Sequence, residues 1–590
     1  MVIKELEINN FRSLRKVVWQ PSPGINCLIG PGDSGKSTIL DAIDLVLSAR
    51  RQVAFTDADF HCLDVSKPIE IRVTIGALPD GLKDFDLYGM YHRGWKPDTS
   101  TVEPEPGVGL EPVLTIILTV GADLEPNWRL FSERADAQDM SRDLSWAHRS
   151  ELAATRLGAY AAQHFAWGNR SVLNRLSDDR AKAAEALAAA ARLARQSFVG
   201  KADAQVEKTL TIVSEVATDV GISTEGALQA LLDVQGVSFA GGSVALHDGR
   251  SVPLRSLGLG SARLLVAAMQ RRVAAAAHVI LIDEIEHGLE PFRLVRLLHT
   301  LGAKAKTPIG QVFTTTHSPV VLRELSASQL RVVREVDTAD ALKPSHTITA
   351  VGSSGAEQAA LRACSDAFLA PSVIVCEGKT EVGLVRGMDI YEGDQGNLSL
   401  TAYGVHYADG GGSQAVERAV VFAKLGYRTA LFRDSDQPLE AAQSAQLTAA
   451  LVKTFEWPSG QATEDALFAA LPAVQVQQLV ELAVRRCGED AVNDAIKQKS
   501  NSTFELAHVR SSFQNNMRPI LAAAAKKKGA AWFKDVDPGE TIGREIVGPN
   551  LARCDAGFVS VLTDISTWVK PLPPPLLAAL PAQATDGSGG

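Results

Sequence analysis

The sequence has few cysteines, and they lack the spacings that zinc sites or disulfide frameworks need. The 590 residues include six cysteines, at positions 27, 62, 364, 376, 487 and 554, and none forms a C-x-x-C pair. This scatter argues against a zinc site and against a small secreted fold held by disulfides. It fits a reducing compartment, so we expect a cytoplasmic protein.

Long apolar runs are also missing. No stretch reaches the roughly 18 apolar residues of a membrane helix, and the first residues lack a signal-peptide pattern, so we expect no membrane association. The composition, 46% hydrophobic and 22% charged, is that of a globular protein, which at this length we expect to form two to four domains. The net charge of −9 does not indicate nucleic-acid binding, but it does not exclude a local binding face.

A nucleotide site is indicated by "CLIGPGDSGKSTIL". It matches G-x-x-x-x-G-K-[ST] directly after the apolar run Ile25–Ile29, which we predict to be a strand. In such a loop the backbone N–H groups surround the phosphates, Lys36 contacts the β and γ phosphates, and the Ser37 hydroxyl binds Mg²⁺. The sequence therefore predicts ATP with Mg²⁺. The predicted contacts are Gly30, Gly32, Asp33, Ser34, Gly35, Lys36, Ser37 and Thr38.

The partner of this loop is predicted in "HVILIDEIEHGLEP". Val279–Ile282 is apolar enough for a buried strand, and Asp283 and Glu284 follow at its end. Asp283 is placed to bind Mg²⁺ through water, and Glu284 to polarise the attacking water. The alternative, a simple acidic turn, is less consistent with a phosphate loop upstream.

Two further segments fit an ABC-type ATPase. "QVFTTTHSP" is a strand ending at His317, where these ATPases place a histidine that senses the γ-phosphate. "RSLGLGSARLL" begins a helix with Gly258 and Gly260, in a loose match to the signature that contacts nucleotide held by a second protomer. A helix cap is the alternative, and the sequence does not decide whether Ser256 or Ser261 is the working hydroxyl.

Acidic residues end two more buried strands. "VIVC" is followed by Glu377 and, four residues later, Glu381; "TALF" is followed closely by Asp434 and Asp436. If the two strands are parallel neighbours, these carboxylates meet at one edge of a sheet, where they can bind Mg²⁺. The alternative is that the glutamates cap a helix and the aspartates form a turn.

This arrangement of acids resembles the Toprim fold of topoisomerases, primases and some nucleases. Asp409, on a glycine-rich turn, and Glu464 are further candidate ligands. No tyrosine has a recognisable topoisomerase context, and no zinc module of a primase is present. Metal-dependent phosphodiester cleavage with two Mg²⁺ or Mn²⁺ ions is left as the favoured chemistry.

An ABC-type ATPase followed by a Toprim domain resembles the OLD (overcoming lysogenization defect) family of nucleases. The segment "GAAWFKDVDPGETIG" also resembles the helicase-associated class of that family, which includes the nuclease subunit of the Gabija anti-phage system. The resemblance implies an active-site role for Lys534, a homodimer or larger assembly, and a UvrD-like helicase partner. It rests on Gly30 to Ser37, Asp283, Glu284, His317, Glu377, Glu381, Asp409, Asp434 and Asp436.

The domain organisation follows from these assignments. The opening "EINNFRSLRKVVW" resembles the first strands of SMC and RecF proteins, whose ATPase head is split by an insertion, and includes Arg12 as a possible nucleotide contact. The fold class expected is α/β throughout. The predicted boundaries are 1–159 and 236–360 for a split ATPase head, 160–235 for a helical dimerisation insertion, 361–570 for a Toprim domain with a helical insertion at about 438–530, and 571–590 for a disordered tail.

Two functions remain open at this point. The first is a metal-dependent endonuclease or nickase that acts on double-stranded DNA, in anti-phage defence or DNA processing, under control of the ATPase head. The second is an ATP-operated DNA clamp or recombination mediator whose Toprim domain only binds. The clustered acids favour the first.

Overall fold

The computed structural model describes residues 1–48, 53–144, 146–157, 165, 190, 193, 208–213, 245–273, 279–308, 310–336, 343–458, 460–527 and 529–570. The chain forms two compact units. Unit 1 contains the described parts of Met1–Leu28, Gly35–Thr316 and Asp337–His346, and unit 2 those of Ile29–Ser34, His317–Val336 and Thr347–Gly590. Each unit combines strands with helices, so the α/β expectation is confirmed. In the described residues no helix has the length and apolarity to cross a membrane.

Unit 1 contains an antiparallel sheet with the order β2-β1-β4-β7-β5-β6, and β8 pairs with β7. The sequence of β4 shows why it forms: Ile69, Ile71 and Val73 are buried, whereas Glu70 and Arg72 between them are only partly covered. This period of two places one face on the core. The strands are β1 Val2–Phe11, β2 Leu14–Trp19, β4 Ile69–Gly76, β5 His92–Lys96, β6 Thr101–Glu103, β7 Glu111–Val120 and β8 Pro126–Phe131.

Parallel strands of unit 1 position the nucleotide residues. β3 (Ile25–Ile29), β11 (Gln311–Thr315), β10 (Val279–Ile282) and β9 (Thr155–Leu157) are neighbours in this order. β3, β10 and β11 are buried along their whole length, as is usual for strands of parallel sheets. Among the described residues of this unit, the helices with defined bounds are α1 Lys36–Val46, α2 Phe85–Tyr88, α3 Glu133–Asp136, α4 Trp146–Leu152, α5 Leu259–Val273 and α6 Pro291–Thr300.

Unit 2 is built on a parallel sheet with the order β15-β14-β16-β17. The strands of this sheet are β14 Ser372–Cys376, β15 Val405–Asp409, β16 Arg428–Arg433 and β17 Lys453–Glu456, whereas β12 Leu330–Glu335 and β13 His346–Ala350 are not part of it. Among the described residues, the helices of unit 2 are α7 Pro319–Glu324, α8 Gly355–Ala363, α9 Lys379–Asp394, α10 Ala415–Lys424, α11 Ala441–Ala449, α12 Thr463–Ala470, α13 Ala473–Cys487, α14 Glu489–Lys499, α15 Leu506–Ser511, α16 Arg518–Ala525, α17 Val536–Thr541, a π-helix Ile542–Val547 and α18 Ala556–Val569.

The segment 438–530, which the composition predicts to be a helical insertion, differs in one element. β17 lies inside it and pairs in parallel with β16, so part of the segment belongs to the sheet. The strand is short and mostly polar, and Phe455 is its one buried residue, which explains why the sequence pattern misses it. Most of the predicted insertion 160–235 and all of the predicted tail 571–590 lie outside the described residues. The dimerisation role of the insertion therefore stays a prediction.

An unpredicted contact joins α9 to α17 and the π-helix that follows. A methyl group at Gly383 would overlap the carbonyl oxygen of Val536, and one at Gly387 would overlap that of Glu540. The two backbones therefore touch, which only residues without a side chain allow. Because α9 begins just after Glu377, this contact fixes the C-terminal segment against the acidic end of the sheet.

We expect Gly387→Ala to destabilise the protein by about 1–3 kcal/mol, the usual cost of forcing extra volume into a packed interior. Gly393 supplies the matched control on the same helix, because a methyl group there meets nothing within 4 Å. Gly393→Ala should be neutral or stabilising by up to about 1 kcal/mol, since alanine favours the helix. Chemical denaturation measures both, and equal stabilities for the two variants would contradict the close contact.

Candidate functional site

The phosphate loop follows β3 in a conformation that depends on glycine. Gly30 and Gly35 have φ angles of 141° and 81°, and Asp33 lies at 58°. A side chain at Gly30 would overlap the carbonyl oxygen of Val333. Lys36, the first residue of α1, is buried, with 5% of its surface exposed. The backbone N–H groups at the N-terminus of a helix such as α1 form an anion site of the kind that binds phosphate.

Asp283 joins the phosphate loop to the strand beside it. Its Oδ1 atom accepts hydrogen bonds from the Ser37 hydroxyl at 3.0 Å and from the Thr315 hydroxyl at 2.6 Å. The backbone N–H of Glu284 donates to the Thr315 oxygen at 2.7 Å. The structure thus brings together Ser37 and Asp283, the two predicted Mg²⁺ residues. Thr315 was not predicted, although the threonine run before His317 was a visible signal.

Glu284 has a strained backbone, with φ at 44° in a non-glycine residue. Such strain concentrates at functional positions. The turn is held by Arg263 of α5, whose guanidinium donates to the carbonyl oxygens of Glu284 at 3.2 Å and His287 at 2.8 Å. The Glu284 side chain is 57% exposed, so its carboxylate is open to solvent, as a group that polarises water requires.

The signature segment leads into α5, in agreement with the prediction that it begins a helix. The hydroxyl groups of both candidate serines form hydrogen bonds within the protein. The Ser256 hydroxyl donates to the carbonyl oxygen of Pro253 at 2.6 Å, and the Ser261 hydroxyl accepts from Arg293 at 2.9 Å. The choice between the two serines therefore stays open.

Ion pairs tie α1 to the end of β10. Arg156 of β9 lies 2.5 Å from Asp41 and 3.8 Å from Asp283. Arg12, the predicted nucleotide contact, also pairs with Asp41, at 2.5 Å, and with Asp59 at 2.9 Å. These arginines position the carboxylates around the phosphate loop, and Arg156 is a residue that the sequence alone did not indicate. His317, the predicted sensor, follows Thr316 at the end of β11 and belongs to unit 2.

The acidic residues of unit 2 lie at one edge of its sheet. β14 and β16 are parallel neighbours, as predicted, and Cys376 is in register with Phe432 on one side and Asp409 on the other. Glu377, Asp409 and Asp434 therefore leave the sheet from the same edge, where the carboxyl ends of parallel strands form ligand sites.

Hydrogen bonds connect these acids. The N–H of Asp434 donates to Glu377 Oε2 at 3.0 Å. The N–H and the hydroxyl of Thr463 both donate to Asp434 Oδ1 at 2.9 Å. Glu381 accepts from the N–H of Gly378 at 2.8 Å, so it caps α9, which was the alternative considered for it. The cap and the acidic cluster are compatible, because a carboxylate accepts more than one hydrogen bond, and Thr463 also bonds to Glu381 and lowers its pKa, after burial, which raises it.

The carboxylates destabilise one another's charged forms. Burial, followed by the charges of Glu381, Glu377 and Glu464, raises the pKa of Asp434 to about 8, although the bond from Thr463 opposes this. Burial also raises the pKa values of Glu377, Glu381 and Glu464. Several like charges crowded into a partly buried edge are stabilised by a bound cation.

The donor set fits a hard divalent cation, because Mg²⁺ and Mn²⁺ prefer carboxylate oxygens. Glu377, Glu381, Asp434 and Glu464 are the residues that would hold it. In the described part of the chain, no group of three or more His, Cys, Asp or Glu side chains has an arrangement that could hold a metal ion. The fit therefore rests on the chemistry and crowding of the donors.

Two other predicted ligands have different surroundings. Asp436 is exposed and lies close enough to Glu377 to contribute to the raised pKa of that residue, after burial as the main cause. The Asp409 carboxylate accepts from the N–H of Gly411 at 2.9 Å and so shapes its own glycine-rich turn.

Lys534 is exposed and lies at the rim of the acidic cluster. Burial raises the pKa of Glu464, whereas the charges of Lys526 and Lys534 lower it. Phe533 next to Lys534 is fully buried, and its carbonyl oxygen accepts from the Thr380 hydroxyl at 3.1 Å. The backbone that carries this lysine is therefore anchored by its neighbour.

Arg433 is a site residue that sequence reasoning missed. It is 9% exposed and donates to Glu456 at 2.8 Å, and its Nε atom lies 3.9 Å from Glu377 Oε2. This guanidinium places a fixed positive charge beside the acidic edge. A basic residue inside "LFRDSD" was the available signal.

Two family models match the N-terminal part of the chain. The model described as "AAA ATPase domain" matches residues 1–87, and the model described as "AAA domain, putative AbiEii toxin, Type IV TA system" matches residues 116–323. The first segment contains the phosphate loop, and the second contains Asp283, Glu284 and His317. This part of the chain is an ATP-binding ATPase domain of the AAA/ABC type, whose ligand is ATP with Mg²⁺.

Curated relatives match a short segment only. The chain is 46% identical over 43 residues to the DNA replication and repair protein RecF of Prosthecochloris aestuarii, which is 7% of this chain and 12% of that protein. It is 37% identical over 57 residues to RecF of Porphyromonas gingivalis, 10% of this chain and 16% of that protein. The chain thus spans less than a fifth of these relatives.

Solved structures that resemble the chain include SMC head domains. The head bound to the C-winged helix domain of ScpA has a TM-score of 0.32 and 17% identity, and covers 59% of this chain and 98% of that one. The SMC head from Thermotoga maritima has a TM-score of 0.29 and 14% identity, and covers 59% and 99%.

Proposed function

We propose that the chain is a metal-dependent DNA endonuclease or nickase in which unit 2 carries the cutting site and the ATPase domain regulates it. The observation that carries this proposal is the crowding of carboxylates at the carboxyl edge of the parallel sheet, where the pKa of Asp434 is raised to about 8. A structural sheet edge has no need of acids that destabilise one another. The resemblance to Toprim domains and to OLD family nucleases supports the same activity.

Each residue has a role in this proposal. Glu377, Glu381, Asp434 and Glu464 would hold divalent ions, with Asp436 and Asp409 as outer candidates. A metal pair at such a site supplies an activated water and stabilises charge on the scissile phosphate. Lys534 would interact with the phosphate as its negative charge grows.

The partners follow from the family resemblance. We propose that the substrate is double-stranded DNA and that the protein forms a homodimer or larger homo-oligomer through the insertion 160–235. We also propose that it associates with a UvrD-like helicase and acts in anti-phage defence in the cytoplasm. His317 and the signature glycines Gly258 and Gly260 would then serve nucleotide sensing.

The second candidate is an ATP-operated DNA clamp or recombination mediator. The short matches to RecF, a DNA replication and repair protein, favour it. A clamp would bind DNA in an ATP-dependent manner and leave every phosphodiester intact, so the two candidates differ in a directly observable product.

An assay on supercoiled plasmid separates them. The purified full-length chain is incubated with Mg²⁺ or Mn²⁺, with and without ATP, and a parallel sample contains EDTA. Nicked or linear DNA that appears only with metal supports the nuclease. Plasmid that is bound but stays supercoiled under every condition rejects it in favour of the clamp.

Lys534→Ala should reduce cleavage by about 100-fold or more, the usual loss when a group that stabilises transition-state charge is removed. DNA affinity and its dependence on salt should barely change, because one charge contributes little to backbone binding. Alanine in place of the run Lys526 to Lys528 provides the contrast, since it should weaken binding and flatten the salt slope. Cleavage by Lys534→Ala at the wild-type rate would show that this lysine is a surface residue without a catalytic role.

A further inference from the structure

We propose that Thr463 and Trp457 are positioning residues that fix the carboxylate of Asp434, so that one of its oxygens is held by the protein and the other is presented to a divalent cation. This inference rests on the proposed metal-dependent activity of the same site. Neither residue is among the acids and lysine that the sequence indicated.

The two residues form a buried hydrogen-bond chain that ends on Asp434. The indole Nε1–H of Trp457 donates to the Thr463 hydroxyl oxygen at 2.7 Å. That hydroxyl donates to Asp434 Oδ1 at 2.9 Å, and the Thr463 N–H donates to the same oxygen at 2.9 Å. Thr463 is 0% exposed and Trp457 is 1% exposed. The chain is therefore closed to water.

The direction of this chain is fixed by chemistry. An indole N–H can only donate, so the hydroxyl oxygen of Thr463 must accept from it. The single hydroxyl hydrogen is then free to point at Asp434, and a carboxylate can only accept. Without Trp457 the hydroxyl could rotate away, whereas with it the hydrogen is directed at the acidic cluster, where it bonds to Asp434 and lies within reach of Glu381.

The indole is itself held in place by two rings, one on α18 and one near the carboxyl end of β16. It stacks on Phe558, with centroids 4.8 Å apart and planes 5° apart, and meets the edge of Phe432 at 5.1 Å. Phe432 precedes Asp434 by two residues on the same chain segment. The orientation of the indole is thus tied to the strand end that carries the aspartate.

The consequence is a difference between the two oxygens of Asp434. Oδ1 accepts two hydrogen bonds, and in the described part of the chain no donor approaches Oδ2. Hydrogen bonds to a carboxylate favour its charged form, which the neighbouring acids oppose. Groups that orient a metal ligand in this way usually change metal affinity by 10- to 100-fold, roughly.

The test measures Mn²⁺ binding by calorimetry and, separately, the Mn²⁺ concentration that gives half-maximal plasmid cleavage. Thr463→Val keeps the shape and removes the hydroxyl, and it should weaken Mn²⁺ binding by about 10- to 100-fold and raise the half-maximal concentration equally. Thr463→Ser should restore both values. Trp457→Phe, which keeps a ring but loses the N–H, should give an intermediate loss.

A double variant separates positioning from stability. Thr463→Val alone leaves the indole N–H buried without an acceptor, which itself destabilises the fold. Thr463→Val with Trp457→Phe removes both partners and should melt close to the wild type, yet it should still bind Mn²⁺ weakly. Wild-type Mn²⁺ affinity in the double variant would overturn the proposal. Mn²⁺ binding is measured in the absence of DNA, so it does not depend on cleavage. A wild-type protein that binds Mn²⁺ but does not cleave DNA would therefore refute the nuclease function and leave the positioning proposal intact.

Discussion

Plasmid cleavage by Glu377→Gln is expected to fall by more than about 100-fold, because loss of even a group that supports a metal ligand costs 10- to 100-fold, roughly. The substitution keeps the size of the side chain and removes its negative charge. The bond from the Asp434 N–H can still be accepted by the glutamine oxygen, so the loop after β16 should keep its position.

The control for this variant is Glu489→Gln. Glu489 is an exposed acid that pairs with Arg510 at 2.9 Å in the helical part of unit 2, away from any strand end. It should cut plasmid like the wild type. ATP binding should be unchanged in both variants, since the nucleotide residues lie elsewhere in the chain. Cleavage at the wild-type rate by Glu377→Gln would reject the metal-dependent site at this edge.

ATP hydrolysis by Glu284→Gln is expected to be slower by about 10²- to 10⁴-fold, the usual contribution of a positioned general base. Nucleotide binding should persist, because Lys36, Ser37 and Asp283 are unchanged. Lys36→Ala should weaken binding itself, since it removes the cation of the phosphate loop. Steady-state hydrolysis and equilibrium binding of a fluorescent nucleotide measure the two effects.

These two ATPase variants also control for each other. A variant that binds but does not hydrolyse assigns Glu284 to catalysis, and one that fails to bind assigns Lys36 to the phosphates. Normal hydrolysis by both would contradict the assignment of the phosphate loop and of the acidic pair after β10.

Much of the site was predictable because buried parallel strands have a simple sequence pattern. Ile25–Ile29 and Val279–Ile282 are short apolar runs with functional residues at their ends, and the structure has both strands with these bounds. The same pattern before Glu377 and Asp434 predicted two neighbouring parallel strands, and this pairing is confirmed. Strands that are buried on both faces can be recognised in the sequence as continuous apolar runs. Because the carboxyl ends of parallel strands lie at one edge of the sheet, the polar residues that follow these runs come together there.

The residues that were missed depend on neighbours far away in the chain. Thr315, Arg156 and Arg433 act through contacts with carboxylates on other elements of the fold, and Thr463 acts through an indole and an aspartate. No local period distinguishes such residues from ordinary polar ones. β17 was missed for a related reason, since its pairing with β16, rather than its own sequence, makes it a strand.

Glu381 combines two features that the sequence presented as alternatives. The sequence allowed a helix cap or a metal ligand, and the structure shows the cap together with a carboxylate whose pKa is raised by burial and then by the charge of Glu464. A carboxylate has two oxygens, so one can cap α9 while the other faces the acidic cluster. Only the folded arrangement shows that both are possible.

The metal site is tested most directly by counting bound Mn²⁺ ions by electron paramagnetic resonance, in the absence of nucleotide and DNA. The wild-type chain should bind two ions per protomer, and the variant with Glu377→Gln and Asp434→Asn should lose at least one of them. Glu489→Gln should bind as the wild type does. If the double variant binds the same number of ions with the same affinity as the wild type, the carboxyl edge of the unit 2 sheet is not a metal site.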